Sequence, residues 1–250
     1  MKKIAVIGTG LSALSLVYHL PAMDITFFEK SWRPGGRIST RRHDKYIFDH
    51  GAHYLKEDHG MIGLNEFLNK INSIKTLKGD FCSNIQNKTS IEKKQIIVGQ
   101  KGIDSIPIQF HKNLRYPTHF STHIKKIENE NSNYFLKSDS ERFGPYDFVF
   151  CCIPFEQAQS LLKEFIDFGP LGNPEFDIIW TIMLALDKRL GSPFQFGYHL
   201  SPNISFLMNQ NFKHEFFSDE CWVINMRAEW SKKYYNIENY VLEDYVVDQL

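Results

Sequence analysis

The sequence predicts an α/β fold in which a parallel, helix-flanked sheet opens the chain and an antiparallel sheet follows near its end. Three observations predict it. The short apolar run Ile4-Ala5-Val6-Ile7 leads at once into a glycine turn and then a helical apolar face. A second apolar run, Ile25-Thr26-Phe27-Phe28, ends on an acid, Glu29. From Trp180 onward, four strand-like runs are separated by Gly, Pro, Asn, Asp and Ser turns.

The first run is continuous rather than alternating, as expected of a parallel strand buried on both faces. Gly8-Thr9-Gly10-Leu11-Ser12-Ala13 follows, and Leu14, Leu16, Val17 and Leu20 keep one helical face apolar until Pro21. Strand, glycine turn, helix, strand and acid together form a dinucleotide-binding unit. Gly8 permits the tight turn, and Gly10 lets the backbone approach a pyrophosphate. Ala13 is small enough for helix and strand to pack closely. The free N–H groups at the start of the helix face the phosphates, and the Ser12 hydroxyl can add a hydrogen bond. Glu29, about 20 residues beyond the turn, suits a ribose hydroxyl.

This fingerprint does not choose between NAD and FAD, but the next segment does. Arg33-Pro34-Gly35-Gly36-Arg37 presents N–H groups and a guanidinium to a pyrophosphate. After the short strand Tyr46-Ile47-Phe48 comes Asp49-His50-Gly51-Ala52-His53-Tyr54, whose small residues Gly51 and Ala52 leave space for a flat ring.

Composition narrows the alternatives. The chain has 250 residues with 42% hydrophobic and 23% charged, enough for a packed core. Lys+Arg and Asp+Glu both number 29, which excludes the basic excess of a nucleic-acid binder. The cluster Arg33, Arg37, Arg41 and Arg42 suits a small anion. Cys151 and Cys152, inside an apolar run, read as core, and cysteine usage fits a reducing cytoplasm. Lys2, Lys3 and the run after them imitate a signal peptide, but Gly8 and Gly10 interrupt it, and no other apolar run is long enough to span a membrane. His119 and His123 lie on an extended segment, too far apart to share a metal ion. No hydrolase motif appears. The sequence therefore offers no metal ligands and no identifiable catalytic residue.

The Gly-x-Gly-x-x-Ala turn, Glu29-Lys30, Gly35-Gly36-Arg37, Ser39-Thr40-Arg41-Arg42 and Asp49-His50-Gly51-Ala52-His53-Tyr54, in this order, resemble the amine-oxidase superfamily of flavoproteins. Within it they resemble most the group of renalase and its bacterial relatives. That group usually has Gln where this chain has His53, and both side chains can donate a hydrogen bond. The resemblance implies a Rossmann-like FAD-binding domain, about residues 1–77 and 99–157, with an inserted substrate domain on an antiparallel sheet, 78–98 and 158–250. FAD is the implied cofactor, with Gly8, Gly10, Ser12, Ala13, Glu29, Lys30, Gly36, Arg37, Gly51, Ala52, His53, Tyr54 and Ile124 as its binding residues. The last of these sits in His123–Ile127, which resembles the strand beside the adenine. Ile103 to about His111 is expected as a helix, Asp147–Pro154 as a returning strand, and Glu156–Phe165 as a helix.

The implied reaction is hydride transfer from a reduced small molecule, such as an aberrant dihydronicotinamide, to flavin, then to molecular oxygen. The alternatives are a flavin amine oxidase, or a non-catalytic remnant or subunit that binds nucleotide weakly. The last arises because the resemblance lacks the family's closing Gly-Asp turn before Leu250, so that a second polypeptide would complete the FAD site. Trp180, Phe196, Tyr198, Trp222 and Trp230 are candidates for a pocket, though aromatics in a sheet are more often core.

Overall fold

The computed structural model describes residues 1–56, 62–85, 88–172, 174–214 and 219–236. In chain order the elements are β1 (Lys3–Ile7), α1 (Leu11–His19), β2 (Asp24–Phe28), β3 (Thr40–His43), β4 (Tyr46–Asp49), α2 (Ile62–Lys70), β5 (Ile74–Ile85), β6 (Lys88–Gly99), α3 (Ser105–Leu114), β7 (Thr118–His119), β8 (Lys126–Glu130), β9 (Asn133–Lys137), β10 (Arg142–Tyr146), β11 (Phe148–Cys151), α4 (Phe155–Leu162), β12 (Thr181–Leu186), β13 (Phe196–Tyr198), β14 (Ile204–Asn209), β15 (Glu220–Met226) and α5 (Ala228–Lys233). They fall into two compact units. One comprises Met1–Ser39, Asp58–Lys75 and Gly99–Pro174; the other comprises Thr40–Glu57, Thr76–Val98 and Glu175–Leu250. The sequence reading groups 40–57 with the first part and 158–174 with the second, whereas by contact each belongs to the other unit.

The first unit holds a parallel sheet of order β11-β1-β2-β7. Ile4, Ala5, Val6 and Ile7 of β1 are all buried. Ala5 and Ile7, with Phe28, pack against Ile127 and Leu136 of the antiparallel meander β8-β9-β10. Ile4 and Val6 point the other way and are buried too, which is why the run does not alternate. Burying Phe27 and Phe28 contributes about 1.5–3 kcal/mol each. α1 packs on α3, with the rings of Tyr18, Phe67 and Phe110 meeting nearby.

The expected returning strand is β11, paired with β1, but three expectations for this unit need correction. Ile124 is not in a strand: it lies in the extended stretch before β8, where the backbone turns toward Glu29. Cys151 and Cys152 are half-buried rather than core, because β11 is an edge strand. The helix expected from Ile103 begins at Ser105, since Gly102, at φ 113°, first redirects the chain.

The second unit holds a six-stranded sheet of order β12-β15-β14-β13-β5-β6. The four runs read after Trp180 are strands and pair antiparallel from β12 through β13. β13 then joins β5 in parallel, a pairing the sequence does not announce. Phe196, Trp222 and Trp230 are core residues, while Trp180 and Tyr198 are half-buried. The hairpin β3-β4 packs Phe48 on Cys221 and Val223 of this unit. The stretch 241–250 lies outside the described residues. Among those described, no helix is long and apolar enough to cross a membrane.

Candidate functional site

The first unit contains a cavity of about 760 Å3 at the carboxyl ends of β1 and β2. Gly8, Gly10, Ser12, Glu29, Lys30, Gly36, Arg37 and Ile124 all line it. Ala13 does not; it is fully buried one turn into α1, where its small side chain permits close packing.

The two glycines of the first turn have different tasks. Gly8 adopts φ 98°, and a Cβ there would sit 2.6 Å from the Cys152 carbonyl oxygen. Gly10 has an ordinary backbone conformation, and a Cβ there would meet nothing within 4 Å. The space beside Gly10 is thus open, as a cradle for a ligand requires. Gly10 also caps α1 without a side-chain hydrogen bond, so the first-turn N–H groups remain available to a ligand.

The Gly-Gly-Arg turn folds onto the first turn: Gly35 N–H donates to the Thr9 carbonyl at 3.1 Å, and Gly10 and Gly35 form a parallel bridge. Arg37 lines the cavity, and no ion pair holds it among the described residues. Arg33, by contrast, is occupied by an ion pair with buried Asp104.

Glu29 is 6% exposed. Its Oε2 accepts from the Thr9 N–H at 3.0 Å and the Thr9 hydroxyl at 2.6 Å, and its Oε1 accepts from the Ser31 N–H at 2.8 Å. The carboxylate is aimed and keeps a lone pair of Oε1 for a ribose hydroxyl. Thr122 N–H donates to the Glu29 carbonyl, which carries His123 and Ile124 into the cavity wall. Lys30 Nζ donates to Gln157 Oε1 at 3.2 Å.

Thr9, Thr122 and Gln157 are site residues that sequence reasoning missed. Thr9 is the variable position of the glycine turn, and the other two reach the site through tertiary folding alone. Cys151 and Cys152 also line the cavity. Burial, with the neighbouring Cys152, pushes the Cys151 thiol up to about 11, which disfavours its thiolate at neutral pH.

Gly51, Ala52, His53 and Tyr54 belong to the second unit and are not in this lining. Their segment is fixed by a buried polar cluster absent from the sequence reading. Lys213 Nζ, fully buried, donates to Asp49 Oδ2 at 2.6 Å and to the His53 carbonyl at 3.0 Å. Thr40 Oγ1 donates to Asp49 Oδ1, and the Asp49 N–H donates to Gln210 Oε1. Burial alone would raise the Asp49 carboxyl, but the His214 imidazole and the Lys213 ammonium beside it hold it well below the usual carboxylate range. The His53 ring bridges the Asp49 carbonyl through Nδ1 and the Asn225 amide through Nε2, each at 3.0 Å. Donation from Nδ1 and acceptance at Nε2 define a neutral imidazole. Burial, helped by the Lys213 charge, pushes His53 down to about 4. Among the described residues no group of three or more His, Cys, Asp or Glu could hold a metal ion.

Comparison with known proteins supports the cavity's character. Residues 6–70 match the family of NAD(P)-binding Rossmann-like domains, and residues 64–179 match the flavin containing amine oxidoreductases. Coproporphyrinogen III oxidase of Staphylococcus aureus is 44% identical over 54 residues, 20% of this chain and 12% of that protein. Mitochondrial protoporphyrinogen oxidase of Nicotiana tabacum is 36% identical over 61 residues, 24% of this chain and 12% of that protein. The matches therefore span only about an eighth of these two relatives.

Solved structures share the fold far more widely. A protein of Exiguobacterium sp. 255-15 assigned as a protoporphyrinogen oxidase superposes with a TM-score of 0.80 at 13% identity, over 99% of this chain and 82% of that one. Cyclohexylamine oxidase of Brevibacterium oxydans IH-35A gives 0.71 at 9%, over 99% and 80%. The two family models in tandem and the shared fold make the chain similar to the flavin containing amine oxidoreductases, and the cavity's open glycine cradle and aimed carboxylate fit the ADP portion of FAD.

Proposed function

We propose that the chain is an FAD-dependent oxidase that accepts a hydride from a reduced small molecule. The observation that carries this reading is the first-unit cavity, with open space at Gly10 and a hydrogen-bonded, lone-pair-bearing Glu29 at its end. Glu29 orients a ribose, the first turn of α1 and Arg37 meet the pyrophosphate, and the wall near Ile124 covers the adenine. When bound, FAD supplies the hydride acceptor and passes both electrons to molecular oxygen, giving hydrogen peroxide. Hydride transfer to a flavin needs no protein nucleophile. By its resemblance to the renalase group, the donor is an aberrant dihydronicotinamide isomer. The match of residues 64–179 to amine oxidoreductases favours a second reading, with a small amine as donor.

Anaerobic mixing of the FAD-loaded chain with dihydronicotinamide isomers, and separately with a panel of amines, tests both readings. Bleaching of the flavin absorbance by the isomers, with one peroxide formed per donor on admitting oxygen, is the expected result. Bleaching by amines alone would transfer the assignment to the second reading, and no bleaching by either would refute both.

A further inference from the structure

We infer that the second unit carries a binding site for a flat, singly charged organic acid, in a cavity floored by Tyr54, Phe81 and Tyr198 and edged by Lys56, Lys93 and Lys94. The cavity measures about 650 Å3, which fits a fused ring system and is far larger than an inorganic anion needs. The inference uses no flavin and stands apart from the oxidase reading.

The floor is built by strand pairing. β13 runs parallel to β5 with Phe196 opposite Phe81 and Tyr198 opposite Ser83, so Phe81, Phe196 and Tyr198 share one face of the sheet. The rings of Phe81 and Tyr198 lie 5.8 Å apart, and Tyr54 packs at 5.7 Å from Phe196. A planar ring would find aromatic contact on such a floor.

The polar groups point to the charge. The hydroxyls of Tyr54 and Tyr198 are 3.2 Å apart. Two phenols bonded to each other use one of their two protons, so the pair retains one O–H for a ligand acceptor. Burial first, then the bond to Tyr198, pushes the Tyr54 phenol above its ordinary range, so that proton is present throughout the physiological span.

The lysines set the number of charges. Lys93 pairs with Asp80 at 2.7 Å and Lys94 with Glu92 at 3.0 Å, while Lys56 has no ion-pair partner among the described residues. Among the described residues, three cations against two carboxylates leave one positive charge. Lys94 Nζ also stands 3.5 Å from the Phe81 ring centroid, which sets an ammonium on that part of the floor and leaves Tyr54 and Tyr198 as the rings a ligand would meet. A neutral ring would leave this charge unused, and a polyanion would exceed it.

Calorimetric titration of the full-length chain with 2-naphthoate, 2-naphthamide and decahydro-2-naphthoate at low ionic strength tests the inference. Naphthoate should bind one-to-one and about tenfold more tightly than the neutral amide or the non-planar acid. Lys56→Met/Lys94→Met, both on solvent-accessible side chains, should abolish the preference for acid over amide. Tyr54→Phe/Tyr198→Phe keeps both rings and should weaken naphthoate about tenfold through loss of the spare donor. Equal affinity for the three compounds, or naphthoate binding unchanged in the lysine variant, would overturn the inference whether or not the chain oxidises anything.

Discussion

Glu29 in the first unit and Asp49 in the second are both buried carboxylates, and they are satisfied in opposite ways. Glu29 is met by the Thr9 and Ser31 N–H groups and one hydroxyl, all from its own glycine turn and strand end, and it borders a cavity. Asp49 is met by Lys213 and His214, from a segment more than 150 residues away, and is 1% exposed. Main-chain dipoles neutralise Glu29 only partly and leave it an acceptor. A full countercharge consumes Asp49 within the fold. The first arrangement leaves an acceptor that suits a ligand, and the second holds the 49–54 turn in place.

Removing the countercharge should therefore give the largest effect. Lys213→Met strands a buried carboxylate and should destabilise the second unit by about 3–5 kcal/mol, with Asp49→Asn in the same chain restoring much of the loss. Urea unfolding followed by tryptophan fluorescence reports on it, since Trp222 and Trp230 are core residues of that unit. A midpoint unmoved by Lys213→Met would mean that the Lys213 charge does not hold Asp49, and the contrast with Glu29 would rest on His214 alone.

Glu29→Ala should behave differently. Two of its donors belong to fully buried Thr9, so stability should fall by about 1–3 kcal/mol, less than for Lys213→Met. Affinity for ADP should fall by about 1–3 kcal/mol, because the ribose hydroxyl loses its acceptor. Adenosine 2′,5′-bisphosphate should lose less or gain, since the variant no longer sets a carboxylate against a 2′-phosphate. The sharp readout is the ratio of the two dissociation constants by competition. An unchanged ratio would assign Glu29 a purely structural task, like that of Asp49.

The same contrast explains what could be read from the sequence. The cavity's motifs are local: strand, turn, helix and acid follow one another within thirty residues, and each residue's task follows from its position. Even so, Thr122 and Gln157 reach the site only because the chain returns through β7 and β11, and that return leaves no mark in their identity. The buried cluster is non-local by construction. Gln210, Lys213 and His214 sit in a polar stretch that reads as a surface turn, and nothing in it announces Asp49 as partner. β5 and β6 escaped for a related reason. Lys88, Glu92, Lys93, Lys94 and Gln95 give β6 the composition of a loop, although it is a twelve-residue strand at the sheet edge. The cysteines show the opposite error: an apolar neighbourhood suggested core, but an edge position left them lining the cavity.

The smallest effect concerns His53, beside Asp49. Its folded value of about 4 lies below the model-peptide value of about 6.5 that the unfolded chain should show. Above that value the ring is neutral in both states and contributes no pH dependence. Between the two values the unfolded chain takes up a proton that the folded one refuses, so stability must fall as pH falls, and below about 4 this group adds no further loss. Asp49, also lowered, begins to contribute only below its ordinary 3.8, so the interval from pH 7 to 5 isolates histidine. His111 in the first unit is lowered as well and supplies a background slope. His53→Gln removes only the share of the second unit, because a glutamine amide can donate to the Asp49 carbonyl and accept from Asn225. Parent and variant should unfold alike at pH 7, and at pH 5 the variant should be more resistant by about 1–2 kcal/mol. Parallel stability curves over that interval would mean that His53 opens to solvent and titrates freely, and the 49–54 turn would then be less firmly held than the Asp49–Lys213 pair implies.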